Sequence, residues 1–269
     1  MSYAQQYKDC LKYIDNFWDK VTVKPRKRDR FLNVILKKTT KKIHENILHI
    51  PKSFVVPNDK KFTHVFYWDT FFMFKGLIGT RREWLLKSMV DNFIYLYEKY
   101  GIIPNFNSPA SIGRSQPPFL TSMILDTYNG KHHYKEWLNK TIDTAKREYW
   151  RVWIDQDGFF HHKVPRFGLS RYGDRDIGYA HSSELESGWD FTSRFYNRCD
   201  EFLPIDLNSY LFKYERDFSK IAAILGNTDE QAYWKNAANK RSDEINRYMW
   251  NKEFGFFFDY GYAHKRQSD

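Results

Sequence analysis

Three polar segments carry residue types that could bind and cut a small polyhydroxylated ligand. "FYWDTFF" supplies Trp68 and Asp69, and "IPNFNSPASIGRSQPP" supplies Asn105, Asn107, Arg114, Ser115 and Gln116. "ESGWDFTSRF" adds Gly188, Trp189 and Asp190. Amide side chains offer a donor and an acceptor, arginine a fixed fork of donors, and aspartate a pair of acceptor oxygens. Asp190 directly follows a tryptophan. A carboxyl group buried against such a ring would hold its proton to higher pH and could pass it to a departing oxygen. Simpler readings stand beside these. Asp69 and Asp190 could be helix N-terminal residues, and Ser115-Gln116-Pro117-Pro118 a helix start with proline near its first turn. What favours ligand binding is that all three segments occur in loops flanking helices.

Those loops need helices to position them, and helical periodicity dominates the chain. "EWLLKSMVDNFIYLYEKYG" sets Trp84, Leu85, Met89, Phe93, Leu96 and Tyr97 at three- and four-residue intervals, with Gly101 as a C-cap. "PFLTSMILDTYNG" predicts a second helix and "HYKEWLNKTIDTAKREYWRVWI" a long third. "DLNSYLFKYERDFSKIAAILG" ends at Gly226, and "DEQAYWKNAANKRSDEINRYMW" follows with an acidic first turn at Asp229 and Glu230. Strand-like runs are few, mainly "THVFYW" and "GFFFDY". Long helices joined in pairs predict an all-α stack of helical hairpins, with no linker to divide residues 1–269 into domains.

Composition narrows the function classes. Aromatic residues make up 19% of the 269, which suits sugar platforms and helix packing equally. The net charge of +10 gathers early, at Lys24, Arg26, Lys27, Arg28, Arg30, Lys37, Lys38, Lys41 and Lys42. Phe31, Val34, Ile35 and Ile43 recur there at helical spacing, so the run is expected to be a solvated helix face, not a nucleic-acid stripe. Cys10 and Cys199 are too few for a disulfide scaffold, and no stretch has signal-peptide or membrane-spanning character. A reducing cytoplasm is the expected setting. His132-His133 and His161-His162 are adjacent pairs without a third ligand, so no metal is expected. Nor is a cofactor, since no phosphate-binding glycine loop or Gly-x-Ser-x-Gly elbow occurs.

Seven motifs in order resemble the trehalases of glycoside hydrolase family 37, inverting enzymes that split α,α-trehalose into two glucoses. They are "YWDTFFMFKGL", "LLKSMVDNF", "YGIIPNFNSPASIGRSQPP", "LSRYGDRD", "ESGWDFTSRF", "PIDLNSYLFKYE" and "NRYMWNKEFGFFFDY", running from about residue 50 to the end. The resemblance implies an (α/α)6 toroid of helical hairpins and a small disaccharide substrate. It implies that Trp68, Asp69, Asn105, Arg114, Ser115 and Gln116 hold the sugar. By the same resemblance Gly188 contacts it through the backbone and Asp190 is the general acid.

Three departures qualify that transfer. Lys61 stands where trehalases carry a substrate-binding arginine, and lysine lacks the planar fork. After "LSRYGDRD" the chain runs through Ile177-Gly178-Tyr179-Ala180-His181 and reaches Asp190 by a shorter loop, leaving Glu184 or Glu186 as substitutes for a lost sugar contact. The later tryptophan signature and the glutamate that serves as general base have no counterpart before Asp269. The expected architecture is therefore an incomplete toroid, open to a downstream polypeptide that completes it. Inversion needs a second carboxylate to activate water, and that group is expected outside this chain. Two alternatives stay open: a sugar-binding relic without turnover, and another inverting α-glycoside hydrolase on the same fold.

Overall fold

A computed structural model describes residues 3–25, 47–173 and 182–268. The basic run at residues 26–46 and residues 174–181, which include the first part of the shortened 177–185 loop, fall outside the described residues, so the expectations placed on them stand as sequence readings.

Helices dominate the described residues. α1 (Tyr3–Val21) is followed by α2 (Tyr67–Leu77) and α3 (Trp84–Tyr100). α4 (Leu120–Tyr128) and α5 (Lys135–Glu148) follow, and α5 runs on into a π turn at Tyr149–Trp153. The short α6 (Ser182–Ser187) precedes two long helices, α7 (Ile205–Leu225) and α8 (Thr228–Met249). The hairpins α2–α3, α4–α5 and α7–α8 pack side by side, with α4 against α7 and α3 against α5. This is the helical-hairpin stack that the periodicity predicts.

The helix ends follow local chemistry. Gly101 closes α3 at φ 74°, its N–H donating to the Tyr97 carbonyl at 2.7 Å. Gly226 closes α7 at φ 84°. Both are left-handed positions, where a side chain would be strained. Asn227 then caps α8 by accepting from the Glu230 N–H at 3.1 Å.

Strands are two-residue pairs. β1 (Thr22–Val23) pairs with β2 (Phe54–Val55), and β3 (Lys163–Val164) with β4 (Leu169–Ser170). β5 (Phe202–Leu203), β8 (Tyr260–Gly261) and β9 (Arg266–Gln267) make a small antiparallel sheet. β6 (Trp250–Asn251) pairs with β7 (Phe256–Phe257), inside the predicted "GFFFDY" run. The other predicted strand, "THVFYW", does not form. Only Phe66 bridges to Phe106, and the chain turns helical at Tyr67 because the 103–118 loop supplies acceptors for that helix end.

Much of the aromatic excess is core. Trp153, Tyr67, Tyr172, Tyr214, Phe74, Phe93 and Phe218 are fully buried, each ring contributing about 1.5–3 kcal/mol relative to exposure. The Glu148 carboxyl group is buried inside this core. It accepts from Tyr67 (3.2 Å), Tyr214 (3.1 Å) and the Trp153 indole (3.3 Å). The two phenol oxygens lie 2.9 Å apart and both take the Leu120 N–H, at 3.1 and 2.9 Å. One buried cluster thus ties the starts of α2 and α4 to α5 and α7. Burial pushes the Glu148 carboxyl up to about 7, although the three donors pull the other way.

Candidate active site

The 103–118 loop caps α2 in place of a local N-cap. Its Asn105 carbonyl accepts the Tyr67 N–H at 3.0 Å, and the Gln116 Oε1 accepts the Trp68 N–H at 3.2 Å. These bonds satisfy helix-start donors that Phe66 leaves open. They also fix Trp68 and Asp69 in the first turn of α2. The same loop grips α6: the Asn105 Nδ2 donates to the Leu185 carbonyl at 2.9 Å, and the Ser115 N–H to Glu186 at 2.9 Å. α6 leads directly into Gly188, Trp189 and Asp190. Segments from three distant parts of the sequence therefore meet at one place.

Gly188 completes the junction. Its φ is 72°, and a Cβ there would lie 2.8 Å from the Trp68 indole, closer than atoms can pack. Trp68 thus packs against Gly188 on the side where any other residue would carry its Cβ. Asp190 follows at φ 50°, in a turn beyond the end of α6, so it is not a helix N-terminal residue. Aspartate tolerates this left-handed geometry better than most side chains.

The expected burial of Asp190 against Trp189 needs correcting. Asp190 is exposed, and Trp189 is itself 40% exposed. The indole turns away, donating its Nε1–H to Asp206 at 2.8 Å beneath the Arg194 guanidinium, which lies 4.9 Å from the ring centroid. Arg194 in turn forks between Asp206 (2.9 Å) and Asp259 (2.7 Å), so this part of the motif clamps the turn to the start of α7. Desolvation is felt at Asp69. Its carboxyl is raised above the usual range, first by burial and further by the Asp190 charge, while its own N–H and a Trp68 hydrogen bond pull it down. Asp69, in the first turn of α2, therefore holds its proton more readily than an ordinary aspartate.

The predicted sugar-binding residues separate by what their atoms already do. Ser115 is fully buried, with its hydroxyl donating to the Ile103 carbonyl at 2.7 Å, so it holds the loop together. Asn105 and Gln116 each commit one amide atom to the frame. The Asn105 Oδ1 and the Gln116 Nε2 take no hydrogen bond among the described residues. Arg114 is partly buried between them in sequence, and its carbonyl accepts the Asn105 N–H at 3.1 Å. Asn107 is purely structural, bonding Val65 at 2.8 Å and Leu48 at 3.2 Å. Lys61 is exposed in a turn built on Asn58.

Glu186 is not a substitute sugar contact. It is fully buried and held by Ser115 (2.9 Å), Gly173 (2.9 Å) and His162 (2.7 Å). His162 is a site-building residue that sequence reasoning misses, because an adjacent histidine pair invites only the question of metal binding. His161 is exposed and His162 buried, so the adjacent pair does point apart. The available signal was Glu186 itself, an acidic residue two positions before Gly188 in the same motif.

A family model described as Trehalase matches residues 3–184 and 173–269. Neutral trehalase Nth1 from Saccharomyces cerevisiae superposes with a TM-score of 0.74 at 27% identity, covering 81% of this chain and 50% of that one. The chain therefore spans about half the length of that trehalase. The GH63 mannosylglycerate hydrolase from Thermus thermophilus, solved in complex with glucose, matches with a TM-score of 0.52 at 16% identity. That match covers 80% of this chain and 64% of the other, and it shows a shared helical toroid fold. No helix among the described residues is long and apolar enough to cross a membrane.

Proposed function

The chain belongs to the trehalase family, and on that premise we propose that it carries the general-acid side of an α,α-trehalose hydrolase. In this reading Asp190 donates a proton to the glycosidic oxygen as the bond to the anomeric carbon breaks. Water, deprotonated by a second carboxylate outside this chain, attacks that carbon from the opposite face. Trp68, Asp69, Asn105, Arg114 and Gln116 hold the sugar, with Ser115 and Gly188 shaping the loop and the turn around it. A downstream polypeptide is the proposed source of the base and of the surface that covers Asp190. Two free cysteines, one of them exposed, suit a cytoplasmic setting.

The observation that carries this reading is the convergence of α2, the 103–118 loop and the turn after α6. It brings the charges of Asp69 and Asp190 within reach of each other and leaves amide atoms of Asn105 and Gln116 for a polyol. The test is release of glucose from trehalose by the chain alone and with the downstream polypeptide added. Inversion at one anomeric centre yields one β-glucose and one α-glucose, which proton NMR separates in the first minutes. Absence of glucose in both preparations, with folded protein, contradicts the proposal. The exposure of Asp190 favours a second reading, sugar binding without turnover. Calorimetric binding of trehalose with no hydrolysis in either preparation would select it.

A further inference from the structure

Glu186 and His162 form a buried pair beneath the candidate site. The Glu186 Oε1 accepts from the Ser115 N–H at 2.9 Å; its Oε2 accepts from the Gly173 N–H at 2.9 Å and faces the His162 Nε2 at 2.7 Å. Two backbone N–H donors and the imidazole thus converge on one carboxyl group. The His162 Nδ1 faces the Val152 carbonyl at 2.6 Å, and a carbonyl only accepts, so this nitrogen carries a proton. With a carboxyl group at Nε2 and a carbonyl at Nδ1, both ring nitrogens face acceptor oxygens, which favours the imidazolium form. The ring is stacked on Trp153, with centroids 5.0 Å apart and an angle of 20°. Phe160 lies nearly parallel at 6.0 Å.

The other groups around the imidazole reinforce this state. Asp155 is buried and accepts the His162 N–H at 3.1 Å, placing a second negative charge nearby. Glu184 and Cys199 are buried beside Glu186, and the Cys199 thiol is held up first by burial and then by the charges of Glu184, Asp206 and Glu186. Burial works against the charge on His162, but Glu186, the Val152 carbonyl and Asp155 together outweigh it, and the net direction is upward. Gly173 reaches the carboxylate only because it lacks a side chain, since a Cβ would lie 2.3 Å from the Phe160 carbonyl oxygen.

We propose that the His162–Glu186 ion pair is the positioning element of the site, locking the Arg114–Gln116 loop and the Asp190 turn into one register without touching substrate. It rests on the trehalose-hydrolase reading for what is positioned. Glu186 sits four residues before Asp190 and directly bonds the loop that presents Arg114 and Gln116. An apolar residue could fill the same volume, but it could not hold three N–H groups from three segments in fixed directions.

Amide hydrogen exchange tests this on the full chain. Ser115 and Gly173 report the pair, and Leu211 and Ala238 in the α7–α8 hairpin are the reference. Glu186→Gln leaves an amide donor facing one of the backbone N–H groups. Protection at Ser115 and Gly173 should fall at least tenfold, with the reference unchanged and trehalose affinity lowered in parallel. In the wild type, protection at the two reporters should decline as pH rises through the elevated His162 value, after correction for intrinsic exchange. His162→Gln should abolish that dependence. Unchanged reporters in Glu186→Gln, or equal loss in the hairpin, would overturn the proposal. If that variant does not fold, a wild-type pH series that is flat, or identical to that of His162→Gln, overturns it. Failure of the wild type to bind trehalose counts against the functional reading alone, because the exchange ratios still decide the role of the pair.

Discussion

Glu186 and Asp190 lie four residues apart in one motif and occupy opposite environments. Glu186 is fully buried and its oxygens are engaged by three segments of the chain. Asp190 is exposed, in a left-handed turn, with its neighbour Trp189 drawn away to Asp206. The contrast teaches that one short motif supplies both a buried foundation and an exposed carboxyl group, the proposed working group. The division follows from α6 ending at Ser187: Ser183, Glu184, Glu186 and Ser187 are buried, whereas residues 189–193 are exposed.

If that division is right, removing the foundation should damage the fold and removing the working group should not. Glu186→Ala leaves the buried His162 charge uncompensated, and the expected loss is about 3–5 kcal/mol in denaturant unfolding. A loss below about 1 kcal/mol would place the pair outside the stable frame. The next effect concerns pH. Glu148 holds its proton up to about 7 in the folded protein, against an ordinary value of 4.5. The native state therefore binds more protons in that window, and stability falls as pH rises from 4.5 to 7. The contribution is about 3 kcal/mol, and Glu148→Gln should flatten it in thermal melts at stepped pH.

Gly188→Ala tests the junction between the two regions. The new Cβ meets the Trp68 indole in a backbone conformation that disfavours side chains. We expect a stability loss of about 1–3 kcal/mol and weaker trehalose binding by calorimetry. Neutral behaviour in both would remove Trp68 from the site. The smallest effect is expected at Lys61, which is exposed. Lys61→Arg should raise trehalose affinity by no more than about tenfold, through the planar fork that lysine lacks.

The helical hairpins were legible because α3, α7 and α8 show their periodicity and caps in the sequence itself, down to Gly101 and Gly226. That the polar segments belong together was legible too, since Trp68, Gln116 and Gly188 do come together. The division of labour among them was not. Whether Ser115 offers its hydroxyl outward or to Ile103 depends on loop geometry that residue type does not encode. The strand expected at "THVFYW" failed for a similar reason: its end is made helical by acceptors some forty residues away, at Asn105 and Gln116. Aromatic neighbours also misled at Asp190, because adjacency in sequence says nothing of which way an indole turns.

The central claim is that Asp190 supplies the proton to the departing sugar. The direct measurement compares Asp190→Asn with wild type on trehalose and on α-glucosyl fluoride, each with the downstream polypeptide present. Fluoride leaves with far less need of a proton donor than a sugar oxygen does. The account predicts that the variant loses about 100- to 10,000-fold in kcat on trehalose while keeping most of its rate on the fluoride. Equal losses on the two substrates, or none on trehalose, would contradict it.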